Sequence, residues 1–381
     1  MMFSKTKVLF RASIFLLFVM IFLGAQNLYA FEYSILGQLS GWSSESRDDD
    51  KRNNNNGLRY IPRIILTQQL SDEYFVDTEL SLNGFVSAET EHDKSDSELK
   101  LYRLKLRFAT AQTETRIGLQ KINFGPAQLL RPLRMFDSVD PRDPLQLTGG
   151  VYGLRFKYNA LNNSNIWLWC LYGNDDLKGY EMLETSSGKP EFGGRIQYPA
   201  LKGEIAATFH TRNADASLLN GKDFTENRFA LDGRWDMAVG FWFESVLQQQ
   251  KTALTPYEWT KTTTLGTDYT FGVGNGLYVL GEHMAAITSN KPIGNENDMQ
   301  FSALNLNYPI GYFDNLMTIA YYSWEDEKYY HYVGWQRIYD NLMFNFSVFK
   351  YPDSDNVSQG MPGQTNTMSG FGGQIMIIFN H

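Results

Sequence analysis

The sequence predicts an all-β fold, a transmembrane antiparallel up-and-down β-barrel of about 18 strands, and three observations support this. Short segments of alternating polarity recur through residues 31–381, with turns between them. No segment in that range has the length or the periodicity of a membrane-spanning helix. Aromatic residues reach 15% of the chain. Strands of a membrane barrel turn apolar side chains to lipid and polar ones to the lumen, which accounts for the alternation.

The first 30 residues have the features of an export signal. Three cations and no acidic residue accompany an apolar run over residues 12–23, and Ala30 offers a small residue for cleavage. This run is about 12 residues long, whereas a spanning helix needs about 20. We therefore assign residues 1–30 to a signal peptide and residues 31–381 to one barrel in the bacterial outer membrane.

Charge and motif content argue against several function classes. Loss of the three signal cations lowers the formal net charge from −8 to −11, which disfavours nucleic acid as a partner. The single cysteine, Cys170, provides neither a disulfide framework nor a CxxC or CxxCH motif. The five histidines are scattered without HExxH, and no GxSxG is present. We expect no enzyme activity, no cofactor and no metal site.

Strands follow one another along the chain with few interruptions. Between Tyr102 and Phe108 apolar side chains alternate with Arg103, Lys105 and Arg107, so the two sets lie on opposite faces. Single-chain bacterial barrels have even strand numbers, and sixteen strands is the alternative to eighteen. The predicted strands cover residues 31–42, 57–70, 74–87, 98–109, 114–122, 151–160, 165–173, 191–199, 203–212, 225–235, 237–249, 260–272, 277–287, 298–308, 315–324, 328–338, 342–350 and 369–380.

The connectors between these strands alternate between short turns and longer polar loops. The predicted long connectors include residues 43–56 and 88–97, and the longest covers residues 123–150. Such alternation is typical of the periplasmic and extracellular ends of an outer-membrane barrel. Tyrosine and tryptophan residues near strand ends suit the aromatic girdles at the two membrane interfaces. They are Tyr33, Trp42, Tyr60, Trp167, Trp169, Trp235, Trp242, Tyr269, Trp324, Tyr330 and Trp335.

The connector 123–150 has a composition unlike that of the others. Four prolines stiffen it, and residues such as Leu130 and Phe136 make it too apolar for a freely solvated loop. We expect it to fold into the lumen as a constriction loop that packs against the inner wall. It also carries charges of both signs, namely Arg131, Arg134, Asp137, Asp140, Arg142 and Asp143.

This layout resembles that of porins, whose constriction loop also folds inward. The passage GLQKINFGPAQLL…DPRDP, within residues 116–150, is similar to one in larger specialised outer-membrane channels, including alginate-export-type barrels. The resemblance implies a passive channel and does not identify its solute. The last strand, with Phe371, Ile375, Ile377 and Phe379 on one face, resembles the C-terminal assembly signal of such barrels, although the chain ends in Asn380 and His381.

Alternation also predicts a cationic sector on the inner wall beside the loop. It consists of Arg103, Lys105, Arg107, Arg116, Arg155, Lys157 and Arg195. Such a sector would raise the local concentration of anions. The alternative is general lumen polarity, balanced by Asp77, Glu79 and Glu114. We therefore expect passive diffusion of small hydrophilic solutes, with anions preferred, past these residues and the charged residues of the loop.

The sequence leaves the partners of the barrel open. Outer-membrane lipid and lipopolysaccharide are the expected surroundings. The sequence does not distinguish a monomer from a homotrimer or from a complex with a periplasmic or extracellular protein. The second hypothesis for function is a barrel sheath that encloses a partner such as a multihaem cytochrome. Because the chain has no haem motif, any cofactor would then belong to the partner.

Overall fold

The structure of the protein is a computed structural model. It describes residues 31–48, 51–89, 94–174, 176–219, 221–252, 254–352 and 370–381. The signal peptide predicted for residues 1–30 lies outside the described residues. Within these ranges no helix is both long enough and apolar enough to span a membrane.

In the described part of the chain eighteen antiparallel strands form one closed sheet, as predicted, and the alternative of sixteen is wrong. The first and last strands close it, with residues paired from Gln38↔Asn380 to Arg47↔Phe371. The strands are β1 (Phe31–Asp48), β2 (Lys51–Gln69), β3 (Phe75–Glu89), β4 (Lys94–Ala109), β5 (Thr113–Gln120), β6 (Val151–Asn159), β7 (Asn165–Leu171), β8 (Glu191–Ala200), β9 (Gly203–Ala214), β10 (Phe224–Asp236), β11 (Gly240–Gln250), β12 (Trp259–Phe271), β13 (Leu277–Ser289), β14 (Asn297–Ile310), β15 (Asp314–Ser323), β16 (Lys328–Ile338), β17 (Leu342–Lys350) and β18 (Phe371–Asn380).

Each strand has an inner and an outer face, because successive side chains point to opposite sides of the sheet. On β8, Glu191 and Arg195 are 1% and 4% exposed, whereas Phe192 and Ile196 are 49% and 59% exposed. The outer faces of the other strands are also rich in exposed apolar side chains. An apolar belt of this extent is unfavourable in water and is suited to contact with lipid.

Short turns and longer connectors alternate over much of the ring, from β4 to β15. Turns such as 110–112 and 339–341 lie at the end where β1 begins and β18 ends, while the connectors after β5 and β7 lie at the other end. The predicted loops 43–56 and 88–97 are wrong, because β1 and β2 pair out to Asp48↔Lys51 and β3 and β4 pair out to Glu89↔Lys94. Polar side chains support this extension, for example through the bond from the Trp42 indole to Asn55 Oδ1 at 2.9 Å.

A bulge in β4 changes the direction of one side chain. The pairing of β3 with β4 shifts between Ser81 and Leu82, which leaves Tyr102 as the extra residue between Leu101 and Arg103. The sequence placed Tyr102 on the lipid-facing side with Leu104. Because a bulge turns the local backbone, its ring instead lies beside the Arg103 guanidinium, 4.0 Å from ring centroid to Cζ.

Candidate functional site

The connector between β5 and β6, residues 121–150, contacts the inner face of the barrel wall. It leaves the wall after Gln120 and returns at Val151 without regular secondary structure. Most of its side chains from Ile122 to Asp137 are buried. The atoms that cover them belong to inner-face residues of β7, β10, β11 and β13 to β17.

Glu282 on β13 anchors the tip of this connector. Its carboxylate accepts hydrogen bonds from the backbone amides of Gln128, Leu129 and Leu130 at 2.7, 2.9 and 2.6 Å. The Trp242 indole donates a fourth at 3.0 Å. Since β13 is eight strands from β5 in a ring of eighteen, the connector reaches nearly the opposite wall.

Glu244 on β11 is a second anchor. Its carboxylate accepts hydrogen bonds from the backbone amides of Ala127 and Leu133 at 2.8 and 3.0 Å. Gly125 lies against this carboxylate, and a Cβ at that position would collide with Glu244 Oε1. The backbone φ of Gly125 is 97°, a value that residues other than glycine rarely adopt. The glycine in the NFGPAQ passage is therefore explained by close approach to the wall.

Two apolar clusters complete the contact between connector and wall. Phe124 and Phe136 pack on Trp169 of β7, with ring centroids 5.7 and 5.6 Å away. Burial of each large apolar side chain contributes about 1.5–3 kcal/mol. The other cluster joins Leu129 and Leu130 to the far wall, namely to Trp242, Leu280, Met284, Phe301, Ile319, Tyr321 and Tyr330.

This packing corrects part of the predicted aromatic girdles. Trp169, Trp242 and Tyr330 are 3%, 0% and 1% exposed and face the lumen. The register likewise places Trp42 and Trp167 on the inner face. The position of an aromatic residue near a strand end does not show whether its side chain faces lipid or the lumen. These aromatic side chains can face the lumen because the connector provides apolar side chains for them to pack against. Of the predicted girdle residues, Tyr33, Tyr60, Tyr269 and Trp324 are exposed.

The charged residues predicted on the loop mainly stabilise the loop itself. Arg131 donates two hydrogen bonds to Asp137, at 2.7 and 3.1 Å, and both side chains are buried. Arg142 pairs with Asp140 at 2.7 Å, and its carbonyl accepts a bond from the Tyr332 hydroxyl of β16 at 3.1 Å. The Asp143 carboxylate accepts hydrogen bonds from the backbone amides of residues 145 and 147, at 3.0 Å each. The Arg134 guanidinium lies 4.3 Å from the ring centroid of residue 180.

The predicted cationic sector is partly neutralised by one carboxylate. Glu114 on β5 accepts hydrogen bonds from Arg107 at 2.7 Å and from Arg116 at 3.0 Å, and it also forms an ion pair with Arg155. Arg107 makes a further ion pair with Asp77 at 3.0 Å. The structure therefore brings three of the predicted arginines together, around a carboxylate that the sequence assigned to background polarity.

The other predicted cations have different surroundings. Arg103 donates to the Thr148 carbonyl at 3.0 Å, so it holds the returning half of the connector to the wall. Lys105 pairs with Glu79 at 2.7 Å. Arg195 forms a two-bond pair with Asp232 at 2.6 and 2.7 Å, buried from the lumen. The Lys157 ammonium lies 4.9 Å from the Trp167 ring centroid.

Two inner-face cations on β2, Arg59 and Arg63, were missed by the sequence reasoning. They alternate with Leu58 and Tyr60, which are 57% and 41% exposed on the outer face, so the signal was present in the pattern. With them, the described inner face of β2 to β6 carries nine cations and six carboxylates, an excess of three positive charges. The set is Arg59, Arg63, Lys100, Arg103, Lys105, Arg107, Arg116, Arg155 and Lys157 against Asp77, Glu79, Glu89, Asp96, Glu98 and Glu114.

A second connector, residues 172–190, is also fixed to the inner wall. Glu181 lies 3.1 Å from the Lys178 ammonium and 3.4 Å from Arg212 of β9, and all three side chains are at most 5% exposed. Arg212 also donates to the carbonyl of residue 183 at 2.8 Å. Glu226 and Arg228 of β10 extend this buried ionic cluster. Among the described residues, no group of three His, Cys, Asp or Glu side chains could hold a metal ion.

We expect the change Glu181→Gln to loosen residues 178–186. It removes one buried negative charge from beside Lys178 and Arg212, and breaking such a pair costs about 3–5 kcal/mol. Hydrogen exchange in these residues should become faster while exchange in the strands is unchanged. Glu184→Gln is the control, because this exposed residue of the same connector has no side-chain ion pair in the described structure. Equal exchange in the two variants would contradict the role of Glu181.

Comparison with known proteins identifies the fold. No family model and no curated protein matches the chain. The structure of OccAB1 from Acinetobacter baumannii is similar, with a TM-score of 0.60 at 9% identity over 93% of this chain and 97% of that one. OmpF from Salmonella typhi, in complex with daunomycin, gives 0.54 at 10% identity over 92% and 97%.

The anion-selective porin from Comamonas acidovorans gives a TM-score of 0.50 at 10% identity, over 92% of this chain and all of that one. These neighbours are outer-membrane porins. At such low identity the likeness shows the fold alone. The chain therefore has the closed β-barrel fold of outer-membrane porins.

Proposed function

We propose that this protein is a passive outer-membrane channel for small hydrophilic solutes, with a preference for anions. The observation that carries the proposal is the connector 121–150, which crosses from β5 to Glu282 on β13 and lies on the inner wall. A loop held across a barrel narrows the lumen and so limits the size of what can pass. A porin-type fold at 9–10% identity supports this reading without identifying a solute.

The charge of the wall supports the anion preference. The described inner face of β2 to β6 has three more cations than carboxylates, whereas the described inner faces of β14 to β18 carry one charged side chain, Lys328. A solute between the two walls would therefore experience a positive potential on one side. Arg107 and Arg116, whose side chains are 32% and 25% exposed, are paired cations of this sector that are open to the lumen.

The double change Arg107→Ser/Arg116→Ser should reduce anion preference. Each cation lowers the electrostatic energy of an anion roughly 10 Å away in water by about 0.4 kcal/mol. The ratio of anion to cation permeability should therefore fall about two- to fourfold at low salt. The measurement is the reversal potential of the purified protein in planar bilayers under a potassium chloride gradient. The effect should shrink at high salt because the charges are then screened.

The control for this variant is Lys350→Ser, since Lys350 is an exposed cation on the outer face of β17. It should leave the reversal potential unchanged. A cation-selective wild-type channel would overturn the proposed preference, and so would equal selectivity of the double variant and the wild type.

The sheath hypothesis is less well supported by the contacts. An enclosed partner needs free lumen, and residues 121–150 and 172–190 both occupy the inner wall. Co-purification of a haem protein in stoichiometric amount would nevertheless favour it over the channel. For the assembly we propose outer-membrane lipid and lipopolysaccharide as surroundings and a homotrimer as the oligomer, which sedimentation in detergent can test.

A further inference from the structure

The barrel wall is lowest at β5, β6 and β7. These strands have 8, 9 and 7 residues, whereas β4 has 16 and β9 has 12. A strand that crosses a bilayer as part of a barrel needs about 9–11 residues. The wall in this sector therefore ends near the outer limit of the hydrocarbon region of the membrane. The neighbouring strand β4 continues beyond that limit.

Above this low sector, one edge of β4 is left open. The pairing of β4 with β5 covers only Leu104 to Ala109, while its pairing with β3 continues to Lys94. In the described part of the chain no strand pairs with this edge between residues 94 and 103. The connectors 121–150 and 172–190 begin at this same end of the barrel, after β5 and β7, so the wall has a notch between β4 and residues 173, 174 and 176–179.

A cavity of about 910 Å³ lies elsewhere on the lipid-facing wall, but the notch holds one of about 620 Å³ with a different lining. Arg59, Asn83 and Phe136 border it from the lumen side, whereas Leu101, Leu119 and Tyr152 are outer-face residues by register. A cavity bordered by both faces of a sheet can form only where the sheet is interrupted. It thus connects the lumen with the outer surface.

The flanks of the notch are apolar on the outside. Leu99 of β4 and Leu177 of the second connector are 72% and 56% exposed, on either side of the opening. Exposed leucines at these positions suit contact with lipid rather than with water. The opening therefore lies where the acyl chains of the outer leaflet can reach it.

The inner end of the cavity is cationic. The Arg59 guanidinium lies 5.4 and 5.2 Å from the ring centroids of Trp42 and Phe85, and no described carboxylate is within ion-pair distance of it. Two other cations of the lining are paired, Lys100 with Glu98 at 2.7 Å and Lys178 with Glu181 at 3.1 Å, and Asp137 pairs with an arginine of the loop. The remaining carboxylate of the lining, Asp176, is exposed beside Leu177. Arg59 interacts with Asp143 only beyond ion-pair distance, and it is therefore the cation of the lining that can bind an anionic head group.

We propose that this notch is a lateral binding site and passage for single-chain anionic amphiphiles, between the outer leaflet and the lumen. The apolar tail lies against Leu101, Leu119 and Tyr152, and the head group reaches Arg59. This function goes beyond diffusion of hydrophilic solutes along the barrel axis. It depends on the barrel crossing a membrane and is independent of the charge preference of the central pore.

The test uses a dodecyl sulfonate that carries a photoreactive diazirine, added to the full-length mature protein in liposomes. Mass spectrometry of the adducts should place them on residues 99–102, 119 and 152. Gly149 lines the cavity and has open space where its Cβ would be, so Gly149→Phe adds an aromatic side chain at the wall of the notch. We expect this variant to reduce labelling about tenfold, because several buried methylene groups lose their site.

Gly281→Phe is the matched control. Gly281 also has open space at its Cβ, but it lies on the outer face of β13, away from the notch. Labelling in this variant should equal that of the wild type. Arg59→Gln should reduce labelling by the sulfonate about tenfold and leave labelling by the uncharged dodecyl alcohol analogue unchanged.

Single-channel conductance, measured in parallel, separates this proposal from the channel proposal. Conductance of Gly149→Phe should stay within about twofold of the wild type, since the notch lies beside the axial path. Equal labelling of Gly149→Phe and Gly281→Phe would overturn the lateral site, and so would adducts located away from the notch. A parallel loss of conductance and labelling would also overturn it, because the amphiphile would then use the axial pore.

Discussion

Replacement of residues 127–134 by a Gly-Ser-Gly linker should raise single-channel conductance at least about twofold. These residues form the part of the connector that reaches the far wall, through the amides held by Glu244 and Glu282. Without them the lumen between β5 and β13 would be wider. Conductance in planar bilayers at high salt measures this effect with little contribution from wall charge.

The same replacement also removes buried apolar contacts, so its stability must be measured. Leu129, Leu130 and Leu133 are 4%, 0% and 2% exposed, and loss of each burial costs about 1.5–3 kcal/mol. Heat-modifiable migration in gels should show a folded barrel with a lower melting temperature. The control is the same linker in place of residues 290–296, which are mostly exposed at the outer end. Equal conductance of the wild type and the first variant would contradict a narrowing role.

The second large effect is expected from the wall carboxylates. Four N–H groups now donate hydrogen bonds to the Glu282 carboxylate. In Glu282→Gln one of the two accepting oxygens is replaced by an NH2 group, which cannot accept these bonds. Hydrogen bonds to a charged group are worth about 1.5–3 kcal/mol each, so docking of the tip should weaken by on the order of 3 kcal/mol. Combination with Glu244→Gln should free residues 125–133 from the wall.

Two measurements report this release. Amides of residues 127–133 should exchange faster with deuterium, and the open-channel current should become noisier as the tip moves on and off the wall. Glu79→Gln is the control, since Glu79 pairs with Lys105 on the wall and has no described contact with the tip. Protection of residues 127–133 at the wild-type level in both variants would mean that apolar packing alone holds the connector.

The strands could be predicted because their signal is local. Alternation of period two identifies the lipid-facing side of a strand, and pairing between strands that follow one another in the chain requires no long-range information. The bulge at Tyr102 and the extension of β1 and β2 were not predictable in this way. Both depend on cross-strand partners, such as the Trp42 indole with Asn55, whose pairing a single strand does not reveal.

The site was predictable only in outline. The composition of residues 123–150 indicated packing against the inner wall, but the anchors Glu244 and Glu282 were not recognised. They are 117 and 154 residues from the amides of Ala127 and Gln128 that they accept. Arg59 was not predicted as a site residue although polar and apolar side chains alternate along β2, because β2 does not flank the connector between β5 and β6.

The sequence by itself determined the barrel, its inner and outer faces and the order of its strands, because each depends on neighbours within a strand or a hairpin. The tertiary structure decided which inner-face groups remain available to a solute. Glu114 offsets three arginines, Asp232 covers Arg195, and the five amides held by Glu244 and Glu282 fix the course of the connector. The physical reason is closure, which brings strands far apart in the chain to face each other across one lumen.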